Sequence, residues 1–149
     1  MRRTFLLGLI ATLSLFAEVP SQEPYYFSGR HFLASYLGCD ADAMGDIEGM
    51  LSAMDKAVSA SHATILERSH YVFEPNGLTA AYLLSESHAS IHTYPEWGAC
   101  FVDIFTCGDT CIPENLDAVL RDYLKPAEVS SRLLLRSETI EEVDYPSTP

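Results

Sequence analysis

The chain has 149 residues, 48% of them hydrophobic and 20% charged, which suits one folded domain, or one domain plus a leader. Its net charge of −12 argues against nucleic-acid binding and against docking on anionic membranes, since both need basic patches. The four cysteines, Cys39, Cys100, Cys107 and Cys111, form no C-x-x-C pair and have no matching histidine spacing, so no metal site is expected.

In chain order, Arg2-Arg3 precedes an almost unbroken apolar run over residues 5–17 that ends on the small Ala17. This is the layout of a secretory signal peptide, with an ordinary apolar N-terminal segment as the other reading. The run is too short for a comfortable membrane span, so no stable span is expected once a leader is removed. Residues 18–28 hold two prolines and read as a linker. Residues 30–37 are rich in β-formers and predict a strand. Asp40 or Asp42 can cap a helix over 42–60, where Met44, Ile47, Met50, Leu51, Met54 and Val58 recur at helical spacing. Residues 63–74 and 78–85 read as strands joined at Pro75-Asn76-Gly77, a strong turn signal. A further strand is expected over 99–106, ending at Cys107-Gly108. Pro113 opens a second helix with Leu116, Val119, Leu120, Tyr123 and Leu124 on one face. Residues 128–136 predict a last strand, and the acidic segment 137–149 a flexible tail.

Short turns between the middle strands favour antiparallel pairing. Two amphipathic helices then cover one face, giving an α+β two-layer sandwich. The other face is left to a second copy of the chain, so a homodimer is expected.

The segment between the middle strands concentrates chemistry. Residues 86–92 place a Glu86-Ser87 bond beside His88 and His92, and Cys107 follows on the next strand. A serine hydroxyl can attack the carbonyl of its own preceding residue and turn the amide into an ester. β-Elimination of that ester leaves dehydroalanine, which becomes a pyruvoyl group with loss of ammonia. Donors must hold the tetrahedral oxyanion, and a base such as an imidazole must reach the α-proton. His92 lies five residues beyond Ser87, and a bend or strand pairing would have to bring it back.

Taken together, Glu86-Ser87-His88, Ile91-His92-Thr93, Tyr94, Pro95-Glu96 and Asp103-x-Phe105-Thr106-Cys107-Gly108 resemble the bacterial and archaeal S-adenosylmethionine decarboxylase proenzymes in order and spacing. Gly29-Arg30-His31 resembles the family's opening, and the likeness spans about residues 28–136. The resemblance implies cleavage between Glu86 and Ser87, with a pyruvoyl cofactor made from Ser87. His92 then assists processing, and Cys107 returns a proton to the substrate α-carbon, a role that suits a thiol protonated at neutral pH. Phe73 and Tyr94 resemble aromatic positions near the nucleoside, and Glu96 resembles the acid that holds the ribose. Thr79 stands where relatives carry a processing serine; it keeps the hydroxyl but adds a stiff β-methyl.

The implied reaction is Schiff-base decarboxylation of S-adenosylmethionine to the aminopropyl donor for spermidine synthesis. Two other readings remain at this point. One is an ornithine or arginine decarboxylase on the same scaffold, and the other is a non-catalytic relative that binds a ligand or partner. The leader-like start suggests export, whereas the family resemblance suggests the cytoplasm. In an exported protein a Cys107–Cys111 disulfide would consume the donor thiol.

Overall fold

The computed structural model describes residues 27–145. The leader-like run and most of the expected linker lie outside these residues, and among the described ones no helix is long and apolar enough to cross a membrane. Seven strands form one antiparallel sheet: β1 (Gly29–Leu37), β2 (Ile65–Phe73), β3 (Gly77–Leu84), β4 (Ser87–Tyr94), β5 (Ala99–Cys107), β6 (Glu128–Arg136) and β7 (Ile140–Val143). Their order in space is β2-β3-β4-β5-β1-β6-β7. Helices α1 (Ala41–Gly45), α2 (Ile47–Ala60) and α3 (Asn115–Leu124), with one 3-10 turn at Pro95–Trp97, complete the described elements. This is the expected α+β two-layer sandwich.

Period-two alternation decides which side chains enter the core. Phe32 and Tyr36 of β1, Leu78 and Tyr82 of β3, Ile91 of β4 and Ile104 of β5 are fully buried against the helices. The helices answer with Met50, Met54 and Val58 of α2 and with Leu116, Leu120 and Leu124 of α3. Each such burial contributes roughly 1.5–3 kcal/mol before the entropy of ordering is subtracted.

The helix expected over 42–60 is two helices. Asp40 caps α1 through Ala43 N–H at 3.0 Å, and Asp46 caps α2 through Gly49 N–H at 2.9 Å. Gly45 weakens the helix at the junction, and the Asp46 carboxylate competes for the backbone there, so the chain restarts instead of running through. The tail also differs from expectation. Ile140–Val143 pair with β6, and Arg132 Nε meets Glu142 at 2.9 Å. Tyr145 then packs edge-on to Phe32 with centroids 5.6 Å apart. β6 would otherwise present an open edge, and this segment closes it on that side.

Among the described residues, one charged side chain is buried. Asp117 of α3 is 2% exposed. It accepts from the Tyr36 hydroxyl at 2.8 Å and from Arg121 Nε at 2.9 Å. Burial, followed by the charge of Asp117 and its hydrogen bond, pushes the Tyr36 hydroxyl far above its ordinary pKa, so it remains a donor. Tyr36→Phe removes that donor and leaves a buried carboxylate oxygen with one partner fewer. The variant should lose about 1–3 kcal/mol of unfolding free energy, read as a lowered urea midpoint at unchanged slope.

Candidate active site

The sheet face away from the helices carries the residues of interest. Alternation places His88, Ser90, His92 and Tyr94 of β4 on it, beside Thr79 of β3, Asp103 and Phe105 of β5, and His31 of β1. They fall into two groups at opposite ends of β4.

The first group surrounds the Glu86-Ser87 bond. Ser87 opens β4 opposite Thr106, so the preceding peptide lies beside the end of β5. The Cys107 backbone N–H donates to the Glu86 carbonyl at 2.9 Å. The Glu86 carboxylate accepts from Thr64 N–H at 2.8 Å, and Ser85 N–H donates to the Thr64 carbonyl at 2.9 Å. The Glu86-Ser87 peptide is therefore clamped on both sides. Ser87 itself has φ +154°, a backbone conformation that L-residues rarely adopt. Its Oγ lies 3.0 Å from His88 Nδ1. Gly108, at φ +90°, turns the chain away just after Cys107 and leaves that thiol exposed. Cys107 and Cys111 are both free thiols. Cys111 is buried, with its sulfur donating to the His62 carbonyl at 3.4 Å.

Behind this bond lies a cluster that sequence reasoning missed. Asp103 accepts from the Ser90 hydroxyl and faces His31 Nε2 at 3.3 Å and His88 Nε2 at 3.9 Å. Burial acts to raise the Asp103 pKa, but the bonds from His31 and Ser90 and the two nearby imidazoles outweigh it and hold the carboxyl below its ordinary range. Arg136 of β6 donates to His31 Nδ1 at 3.2 Å and lies 4.5 Å over the Phe105 ring. The available signal was a carboxylate between Phe101 and Phe105 on one face of β5. The partners come from strands far apart in the chain.

The second group is built around His92. Thr79 is its direct cross-strand partner, and Thr79 Oγ1 lies 2.5 Å from His92 Nδ1. The Tyr94 ring sits 4.5 Å from the His92 ring and the Phe73 ring 6.1 Å away. Residues 95–97 make one 3-10 turn, which Gly98 ends at φ +56°. That turn sets Glu96 on the rim of a cleft of about 370 Å³ lined by Phe73, Gly77, His92, Tyr94 and Glu96. Phe73, Tyr94, Glu96, His92 and Thr79 are thus brought together.

The structure does not bring His92 back to Ser87 within one chain. β4 keeps unbroken register with β5 from Ser87 to Tyr94. Five residues of strand at about 3.3–3.4 Å each put the two positions roughly 17 Å apart. No bend intervenes, because Ala89, Ile91 and Thr93 are all buried on the core side and hold the strand straight.

The model of the S-adenosylmethionine decarboxylase family matches residues 30–137. An S-adenosylmethionine decarboxylase proenzyme from Thermoplasma acidophilum is 37% identical over 114 residues, covering 76% of this chain and 87% of that protein. The proenzyme of a Synechococcus strain is 37% identical over 121 residues, covering 81% and 94%. The crystal structure of the adenosylmethionine decarboxylase from Aquifex aeolicus superposes with a TM-score of 0.68 at 33% identity, covering 78% of this chain and 97% of that one. This chain belongs to the S-adenosylmethionine decarboxylase family.

Proposed function

We propose that the chain cuts itself between Glu86 and Ser87, gains a pyruvoyl group at Ser87, and decarboxylates S-adenosylmethionine. The observation that carries this is the convergence of the Glu86 carbonyl, the Ser87 hydroxyl and Cys107 at one end of β4, with the carbonyl already accepting a hydrogen bond from Cys107 N–H. That donor sits where oxyanion charge develops when the hydroxyl attacks.

The site suits a group made from the chain. After cleavage, β4 remains paired to β3 and β5 along its length, so the new terminus stays beside Cys107. The pyruvoyl group, once formed, supplies a carbonyl that takes up the electron pair left by departing carbon dioxide. The exposed Cys107 thiol then returns a proton to the substrate carbon. Phe73 and Tyr94, both about 40–45% exposed, offer faces for a purine, and the Glu96 carboxylate accepts from sugar hydroxyls. An aromatic cleft of this kind favours a nucleoside over ornithine or arginine.

The 17 Å gap along β4 asks for two copies. His92 and Thr79 are too far from Ser87 of their own chain to take its α-proton. The open face also exposes Tyr71, Leu83, Phe101, Phe73 and Tyr94. Two copies placed open face to open face about a two-fold axis would cover these side chains. The same arrangement would set the His92 end of one copy over the Ser87 end of the other.

Three outcomes test this reading. Intact-mass spectrometry of purified protein should show one fragment ending at Glu86 and a second with a blocked, keto-capped terminus. Ser87→Ala should give a single chain, and a folded wild-type chain that never splits would rule the reading out. Ser87→Ala and His92→Ala copies should each fail alone. On co-expression, the His92→Ala chain should be cut, because its Ser87 meets an intact His92 in a mixed pair. A His92→Ala chain that remains whole there would remove the shared site. Glu96→Gln should raise KM for S-adenosylmethionine about tenfold with kcat nearly unchanged, as expected for lost ribose binding of roughly 1.4 kcal/mol.

A further inference from the structure

The proposed chemistry leaves one histidine at the cleavage point without a task. His88 follows Ser87 directly, and in a regular strand adjacent side chains point to opposite faces. Here Ser87 departs from strand geometry at φ +154°, and its Oγ lies 3.0 Å from His88 Nδ1. The other ring nitrogen, Nε2, faces the Asp103 carboxylate at 3.9 Å, an ion-pair contact too long for a hydrogen bond. The tautomer with its proton on Nε2 therefore points N–H toward the carboxylate and presents a bare Nδ1 to the serine. The groups facing His88 are His31 of β1, Asp103 and Phe105 of β5, and, beyond Phe105, Arg136 of β6. Arg136 donates to His31 Nδ1, so His31 offers its own Nε2–H to Asp103. Asp103 thus collects donors from one side and remains a carboxylate beside His88. The His88 side chain is 50% exposed, so the fold does not depend on it.

Building on the self-cleavage reading above, we propose that His88 is the base for the first step, with Asp103 as its positioning residue and Cys107 N–H as the oxyanion donor. His88 Nδ1 takes the Ser87 Oγ proton as Oγ bonds to the Glu86 carbonyl carbon. The carbonyl π pair moves onto oxygen, where Cys107 N–H holds it. The carbon–nitrogen bond then breaks, and the Ser87 nitrogen takes the proton back from His88. Glu86 is left esterified to Ser87 Oγ, and no proton is gained or lost overall. All four groups belong to one chain, so ester formation needs no second copy. Only the later loss of the α-proton calls on His92 of another copy. Self-cleavage is thus divided between an imidazole inside the chain and one outside it.

Hydroxylamine reads the ester directly, since it cleaves esters and spares amides at neutral pH. His92→Ala should accumulate the ester, and hydroxylamine should split it into two fragments by mass. His88→Ala/His92→Ala, and the milder His88→Gln/His92→Ala, should split at least about 100-fold more slowly while keeping the melting temperature of His92→Ala. Asp103→Asn in the His92→Ala background should slow splitting about tenfold at unchanged melting temperature, and Asp103→Glu should restore part of the rate, because the ring loses the carboxylate that faces Nε2. Splitting of the double variants at the His92→Ala rate would overturn the role of His88, and an Asp103→Asn rate equal to that of His92→Ala alone would overturn that of Asp103. If wild-type protein splits while His92→Ala resists hydroxylamine, the first step also depends on the second copy and the proposal fails. If wild type itself never splits, it is the self-cleavage reading that has failed.

Discussion

The register of β4 against β5 is the constraint on which the rest depends. It aligns Ser87 with Thr106 and Tyr94 with Ala99. A slip by one residue would move Ala89, Ile91 and Thr93 out of the core and drive His88, Ser90 and His92 into it. The apolar residues on the buried face thus fix the polar residues on the open face. The same register sets the Glu86 carbonyl on Cys107 N–H, so core packing and the Glu86-Ser87 peptide are held by one ladder. Thr93 adds a pin at the far end, where its hydroxyl accepts from Leu78 N–H at 2.9 Å.

That ladder also explains how a chain can lose a peptide bond without losing its fold. The proposed cut falls where the chain passes from β3 into β4, and both strands keep their partners on either side of it. The buried core lies on the other face and spans both prospective fragments, with Phe32, Tyr36 and Tyr82 before the cut and Ile91, Ile104 and Leu120 after it. Separating the fragments would expose this surface, a cost far above that of one broken link.

Much of the architecture was legible in the sequence because it rests on local periodicity. β1, β3, β5 and β6 lie within about a residue of the expected segments, and the β2–β3 turn falls at Glu74-Pro75-Asn76, one residue before the expected Pro75-Asn76-Gly77. The break at Asp46 was missed because apolar spacing continues across it, while the cap that interrupts the helix depends on one side chain. β7 was missed because an acidic, exposed strand carries no alternating apolar signal. At the site, motif spacing located the residues but not their distances. Thr79 and His92 meet because β3 and β4 form a hairpin. Whether His92 also reaches Ser87 depends on whether β4 bends, which spacing alone does not tell. The Asp103 cluster needed β1 to lie beside β5, a pairing across 72 residues between His31 and Asp103. Long-range pairing of this kind leaves no trace in the spacing of either strand.

Thr79 carries its hydroxyl on a stiff, β-branched side chain. A serine rotates freely about χ1, whereas threonine has its rotamers restricted by the β-methyl. On β3 the hydroxyl still lies 2.5 Å from His92 Nδ1, so the cost of restriction has been met by a rotamer that already serves the imidazole. A hydroxyl fixed on Nδ1 leaves Nε2 as the nitrogen free to act on something outside the chain. The two imidazoles of β4 are thus oriented in opposite senses. His88 presents Nδ1 to its own serine with Nε2 toward a carboxylate, and His92 has Nδ1 occupied and Nε2 free. On the roles proposed for these two imidazoles, such a strand starts the reaction alone and completes it only when paired.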